Sequence, residues 1–201
     1  MKNKVIYLSG AFAALLYAVT VILGGLIRPG YSHISQAISE LIEAGAADKR
    51  FLDPLFILYN VLTGVFGSVL TSKGIKEKNR AFIASGAAFL VEAISGVIMT
   101  LFYPMDPRGA APTFAGKMHL IIAGIMSLFT MVAVGCAAAG FRENGKMRIY
   151  SIISLAVIFI SGATAAWGAA TANPLLGIFE RVTIGAYLQW MLVISVKLQN
   201  K

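Results

Sequence analysis

The chain has 201 residues, of which 58% are hydrophobic and only 13% charged, and a formal net charge of +8. A water-soluble chain usually carries about a quarter charged residues; this one cannot cover a water-facing surface, so lipid is its expected solvent. The basic residues sit in short stretches between apolar runs, as membrane-topology signals do, which argues against a nucleic-acid partner. The single cysteine, Cys136, lies in an apolar run and excludes an intrachain disulfide and a cysteine-based metal cluster.

A spanning helix needs roughly 20 mostly apolar residues, because each adds about 1.5 Å across a core of about 30 Å. The first such run, Val5–Ile27, follows a basic start, Met1-Lys-Asn-Lys4. It is too long for a signal peptide and is expected to stay as the first helix. Between it and the next run lies Tyr31-Ser-His-Ile-Ser-Gln-Ala-Ile-Ser-Glu-Leu41. Here Ile34, Ile38 and Leu41 recur at helical spacing, which predicts a short amphipathic helix at the membrane interface, ended near Gly45. Further spans are predicted over Pro54–Ser72, Arg80–Tyr103, Gly116–Gly140, Arg148–Ala170 and Ile178–Val196. The runs are continuous and not alternating, so strands are excluded. No proline interrupts a span as drawn, and Lys73–Asn79 and Phe141–Met147 read as tight connectors. The expected fold class is all-α: a six-transmembrane-helix bundle, one domain over residues 1–201.

Orientation follows from charge. Lys2, Lys4, Lys73, Lys76, Lys78, Arg80, Arg142, Lys146, Arg148, Lys197 and Lys201 share one side, 11 of the 17 basic residues. Arg28, Lys49, Arg50, Arg108, Lys117 and Arg181 lie on the other. The positive-inside rule places the first set, and both termini, in the cytoplasm of a multi-pass protein of the cell membrane.

The polar residues gather at the opposite, outer level. Tyr31, Ser32, Ser35, Ser39 and Glu40 come from the first outer loop, and Asp106 and Arg108 follow the third helix. His119 opens the fourth helix, and Glu180 and Arg181 open the sixth. Three loops bring them to one depth in a narrow bundle, so a cluster is expected. A histidine beside a carboxylate is a general base whose tautomer the carboxylate fixes, and a serine hydroxyl needs such a base to react. This gives a candidate catalytic set of Ser39, Glu40, Asp106, His119, Glu180 and Arg181. Tyr31, Ser32, Ser35, Arg108 and Glu92 are the candidate substrate contacts, and Ser35 is a second candidate nucleophile. A metal on His33, His119, Asp106, Glu40 and Glu180 is disfavoured, since neither histidine has a ligand partner at i+3 or i+4. The plainer reading is pairing: Asp106 caps a turn before Pro107, Glu180 suits a helix N-terminus, and Arg181 neutralises Asp106 or Glu40.

Glu92 sits mid-span, where a carboxylate costs about 2.5–3.5 kcal/mol on insertion scales. It is expected to face the bundle interior, with Thr63 and Ser95 in reach. Three functional classes remain. The first is an enzyme, hydrolase or acyl-transfer, acting on a lipid or lipid-linked substrate at the outer leaflet. The second is a small proton-coupled transporter using Glu92, and the third is a non-enzymatic binding or assembly protein. Membrane lipids are the expected partners; no cofactor and no oligomeric state follow from the residues.

Five short motifs carry a resemblance: Gly30-Tyr-Ser32, Ile38-Ser-Glu-Leu41, Pro104-Met-Asp106, Gly116-Lys-Met-His119 and Gly177-Ile-Phe-Glu-Arg181. Together the chain resembles a bacterial and archaeal integral-membrane family catalogued as domain of unknown function 998. The resemblance covers nearly the whole chain and implies a six-helix membrane protein without implying an activity. Ile42-Glu-Ala-Gly45 departs from it, since the family more often places a glycine soon after Ser-Glu-Leu.

Overall fold

A computed structural model describes residues 4–199. The expected basic start at Lys2 and the terminal Lys201 lie outside the described residues. A 3-10 turn, Lys4–Leu8, leads into α1 (Ser9–Ile27). Then come α2 (Lys49–Lys76), α3 (Arg80–Phe102), α4 (Phe114–Gly140), α5 (Gly145–Ala170) and α6 (Leu176–Gln199). All six are long and apolar enough to cross a membrane, with mean hydropathy between 1.2 and 2.3 over their best windows.

Each helix packs on its neighbour in the chain, and α1 meets α6, which closes the ring. The centre is aromatic. Phe89 of α3 stacks on Trp190 of α6 at 5.9 Å between ring centroids, and Phe66 of α2 meets Phe89 edge-on at 5.3 Å. The outward faces carry bare Leu15, Ile22, Leu26, Leu120, Ile153 and Phe159. In water such faces would form an apolar surface far beyond the few hundred Å² that soluble monomers tolerate.

Helix ends follow side-chain caps. Asn79 accepts from the N–H groups of Ala81 and Phe82, and Asn144 from that of Met147. These satisfy donors that a helix start leaves orphaned. Asn79 also donates to the Gly140 carbonyl at 2.8 Å, tying the start of α3 to the end of α4. These caps make the two connectors short.

Two expectations change. α2 starts at Lys49, so Pro54 lies inside a helix, in its second turn. There it forgoes one backbone bond while the polar first turn, with Lys49 paired to Asp53 at 2.5 Å, continues the helix before it. The segment between α1 and α2 is not a helix from Ile34 onward. Its regular part is a 3-10 turn, Ile38–Ile42, with Ile38, Leu41 and Ile42 buried and Ile34 55% exposed. Several of its carbonyls and amides find partners on other elements, so a continuous amphipathic helix is not needed to satisfy them.

Candidate functional site: a charge-fastened lid over one end of the bundle

The three longer loops meet at one end. The 28–48 segment lies across it like a lid, its 3-10 turn packed against α1, α2 and α6. Four groups fasten it. Arg28, at the end of α1, donates to the carbonyls of Glu40 (2.5 Å) and Leu41 (2.8 Å) and pairs with Asp48. Glu40 is 2% exposed, and its carboxylate accepts from Arg108 (2.7 and 3.2 Å), from Gln36 (3.0 Å) and from the Ala37 N–H (2.9 Å). Glu180 accepts from the Ile38 N–H at 2.6 Å. Arg181 donates to the carbonyls of Gln36 and Gly177 (both 2.9 Å), to the Tyr31 hydroxyl (2.6 Å) and to His33 Nδ1 (3.0 Å).

Backbone joins in. The Ile178 N–H, in the first turn of α6, donates to the Ile34 carbonyl at 3.1 Å. The same N–H also reaches the Leu175 carbonyl at 3.0 Å, so the lid shares a donor of the helix start. Gly177 permits it, because a Cβ there would fall within 2.6–2.8 Å of the carbonyls of Gln36, His33 and Ile34. The loop after α3 joins the lid through the Ala44 N–H, which donates to the Met105 carbonyl at 2.8 Å.

Around His119 the arrangement is separate. Asp106 accepts from the Thr113 N–H (2.8 Å) and hydroxyl (2.7 Å), and Thr113 caps α4 by accepting from the Gly116 N–H. Gly116 leaves room for the Asp106 carboxylate, which occupies the space a Cβ would take. His119, 3% exposed, contacts the Tyr103 carbonyl through Nδ1 at 2.8 Å. A carbonyl only accepts, so Nδ1 carries the proton and Nε2 the lone pair in the neutral ring.

Electrostatics distinguishes the carboxylates. Burial pushes Glu40 up, but the hydrogen bonds from Arg108, Gln36 and Ala37 together outweigh it and hold it below its ordinary value. Glu43, three residues on, is raised by burial that the nearby Arg28 only partly offsets. Asp106 is held low by the Thr113 hydroxyl and N–H, with His119 close enough to add to the effect. Burial pushes Tyr31 up to about 12 against the pull of Arg181. Burial, and then Arg181, keep His33 below its ordinary value.

The structure therefore brings Tyr31, Ser32, Ser35, Ser39, Glu40, Asp106, Arg108, His119, Glu180 and Arg181 to one end, but in two groups. Ser32 Oγ accepts from the Ile34 and Ser35 N–H groups, and the Ser35 carbonyl accepts from Arg108. The Ser39 hydroxyl donates to Met105 Sδ at 2.9 Å and not to a histidine. The expected neutralisation by Arg181 is replaced: Arg108 takes Glu40, Thr113 takes Asp106, and Arg181 holds loop oxygens. Sequence reasoning passed over Gln36 and Thr113 and counted Arg28 only as a topology charge. A threonine three residues before Gly116, at the start of an apolar run, was the one available signal.

Beside the lid runs a groove of about 360 Å³ between α1 and α6. Tyr17, Val21, Ile22, Ile184, Gly185 and Leu188 wall it, and His33 and Arg181 stand at its lid end. Arg181 Nε is buried with no hydrogen-bond partner.

Fold and site define a polytopic helical membrane protein with one end closed by a polar lid. A family model described as "Protein of unknown function (DUF998)" matches residues 11–197, and the chain belongs to that family. No curated protein and no solved structure matches the chain.

Proposed function

We propose that this protein takes a lipid or lipid-linked molecule of the outer leaflet, tail in the α1–α6 groove and polar group at the lid. The groove carries this reading. Its walls are apolar, it runs along two spanning helices, and lipid is the medium around them. Its volume falls in the range of about 300–1,000 Å³ typical of small-molecule sites. At its polar end, Arg181 Nε is a buried donor without a partner, which favours an anionic headgroup oxygen. The placement at the outer leaflet rests on the charge bias, with 11 of the 17 basic residues on the other side.

Gly185 offers a direct test, because a Cβ there meets nothing within 4 Å. Gly185→Phe fills the groove without touching the lid's hydrogen bonds. Protein extracted in mild detergent should carry a co-purifying lipid, and Gly185→Phe should lose it while keeping its thermal stability. Equal lipid in both proteins, read by mass spectrometry, overturns the proposal. Topology is tested by alkaline phosphatase fused at Lys78, which should be inactive if that loop faces the cytoplasm.

A chemical step on the bound molecule, hydrolysis or acyl transfer, is the second reading. The protonated Nδ1 of His119 favours it, since this leaves Nε2 as the base. Ser39 would have to exchange the Met105 sulfur for that nitrogen. Serine-reactive probes should then label Ser39, and the lipid profile of a deletion strain should change. An unlabelled protein and an unchanged profile remove this reading and leave binding.

A further inference from the structure

The middle of the bundle holds polar groups that the lid does not explain. Glu92 of α3 is 3% exposed, and its Oε2 has no hydrogen-bond partner. It enters none of the ion pairs among the described residues. On α2, Thr63 is fully buried with Oγ1 unpartnered, and Asn60, 4% exposed, has Oδ1 unpartnered. One N–H of the Asn60 amide donates to the Phe56 carbonyl at 2.9 Å.

These groups share one layer. A Cβ at Gly64 would lie 3.4 Å from that of Ala93, and the Asn60 side chain lies against Gly96. The antiparallel register of α2 and α3 therefore sets Thr63 at the level of Glu92 and Asn60 one turn away. Tyr59 of α2 lies near Glu92 and Thr63. The hydroxyls of Thr130 on α4 and Tyr187 on α6 also face the carboxylate. Tyr59 and Tyr187 are the titratable groups that face it from these elements.

We propose that Glu92, Thr63 and Asn60 form a mid-membrane binding site for one monovalent cation, a proton or a sodium ion. The donor set gives the reason. It combines a carboxylate, an amide oxygen and a hydroxyl oxygen, all hard oxygen ligands. Neutral hydroxyls facing the carboxylate can donate to it but leave its charge in place, and no basic side chain among the described residues pairs with Glu92, so a cation is what neutralises the site. One unit of charge neutralises the site. A divalent ion would leave a net positive charge in a low-dielectric layer, which strongly disfavours an unpaired charge.

The experiment uses the full-length protein in detergent, titrated with sodium chloride against choline chloride at constant ionic strength and neutral pH. Thermal stability and the infrared carboxyl region are read together. If sodium is the ligand, it should stabilise the protein saturably while choline does not. Glu92→Gln should abolish the effect. Thr63→Val, which deletes one ligand, should weaken the apparent affinity by about tenfold or more. If the ligand is a proton, sodium should do nothing. A protonated-carboxyl band should then be present at neutral pH, missing in Glu92→Gln and shifted in Thr63→Val. Wild-type protein with neither sodium stabilisation nor a protonated-carboxyl band overturns the proposal, whatever the variants do. So does a response that Glu92→Gln and Thr63→Val both leave unchanged.

Discussion

The lid and the mid-bundle layer both bury polar groups, yet they do so in opposite ways. At the lid, Glu40 accepts bonds from three residues, while Glu92 leaves one buried oxygen with no partner. The lid's groups are nearly all spent on holding a loop whose backbone needs partners. In the mid-bundle layer the Asn60 amide donates within its own helix, to Phe56, and ties down no second element. Saturated hydrogen bonding marks structure, and buried polar atoms left unpartnered, as at Glu92, Asn60 and Thr63, mark a place for something else. By the same test, one donor at the lid stands unpartnered, the buried Nε of Arg181, a residue that lines the groove.

If this contrast is right, the lid should be the costlier region to disturb. Glu40→Ala should have the largest effect. It strands the buried Ala37 N–H and the half-buried Gln36 amide, while Arg108, about half exposed, returns to water. A loss of about 3 kcal/mol follows, the upper end for leaving buried hydrogen-bonding groups unsatisfied. Thermal unfolding in detergent checks it, with Glu92→Gln as the companion. A smaller loss for Glu40→Ala than for Glu92→Gln would break the comparison.

Gly177→Ala comes next. The added methyl meets three lid carbonyls, so the lid must lift or α6 must shift. Such overpacking costs about 1–3 kcal/mol. Hydrogen exchange should show the loss concentrated in the 31–42 segment, with the amide of Ile178 among the groups that gain exchange. Uniform loosening of all six helices would mean that the lid is not a separate unit.

How far the sequence reached can be judged at these same residues. The six spans were readable because a bilayer demands length and apolarity, which composition reports directly. Their ends were less so: α2 begins at Lys49, since a polar turn can continue a helix that hydropathy stops counting. Meeting of the polar residues at one end followed from depth alone. Their pairing did not, because Arg108 and Arg181 are equivalent in sequence and only the path of the lid assigns Glu40 to one of them. Placing Glu92 in the interior followed from energetics. Of its expected partners Thr63 is at its level, whereas Tyr187 and Thr130 lie on helices far away in the chain and gave no sign.

Acid should sharpen the contrast further, because two lid groups are shifted the same way. The folded value of His33 lies below its ordinary one, so the unfolded chain takes up a proton first as pH falls. Its contribution is present above about 6.5 and fades as pH falls below that value toward the folded one. The folded value of Glu40 is lowered too, so its contribution is present above about 4.3 and is lost as pH drops through the folded value. Glu43 runs against them. Its folded value is raised, so it favours folding at low pH and loses that contribution as pH rises past about 4.3 toward the folded value. Protease cleavage in the lid should therefore rise in two steps on acidification. Glu43→Gln should steepen the second step and Glu40→Gln should remove it. A single step unaffected by either variant would assign acid sensitivity elsewhere.

The smallest expected effect is at Ser39, and it separates structure from chemistry most cleanly. Its hydroxyl donates to the Met105 thioether, a weak acceptor, and the residue is only partly buried. Ser39→Ala removes that bond and strands only a sulfur, so the stability loss should be about 0.5 kcal/mol, the low end for a hydrogen bond. Glu40 next to it should cost several times more, although the two sit in the same 3-10 turn. If Ser39 only helps to seat the lid on the loop after α3, Ser39→Ala should keep the co-purifying lipid and leave the cell's lipid profile unchanged. If it is a nucleophile, the folded, lipid-loaded variant should lose turnover entirely, and His119→Gln should lose it to the same extent. A nucleophile and its base act as one unit, so removing either gives the same loss. A turnover defect in His119→Gln alone would leave His119 as base for water and take Ser39 out of the chemistry.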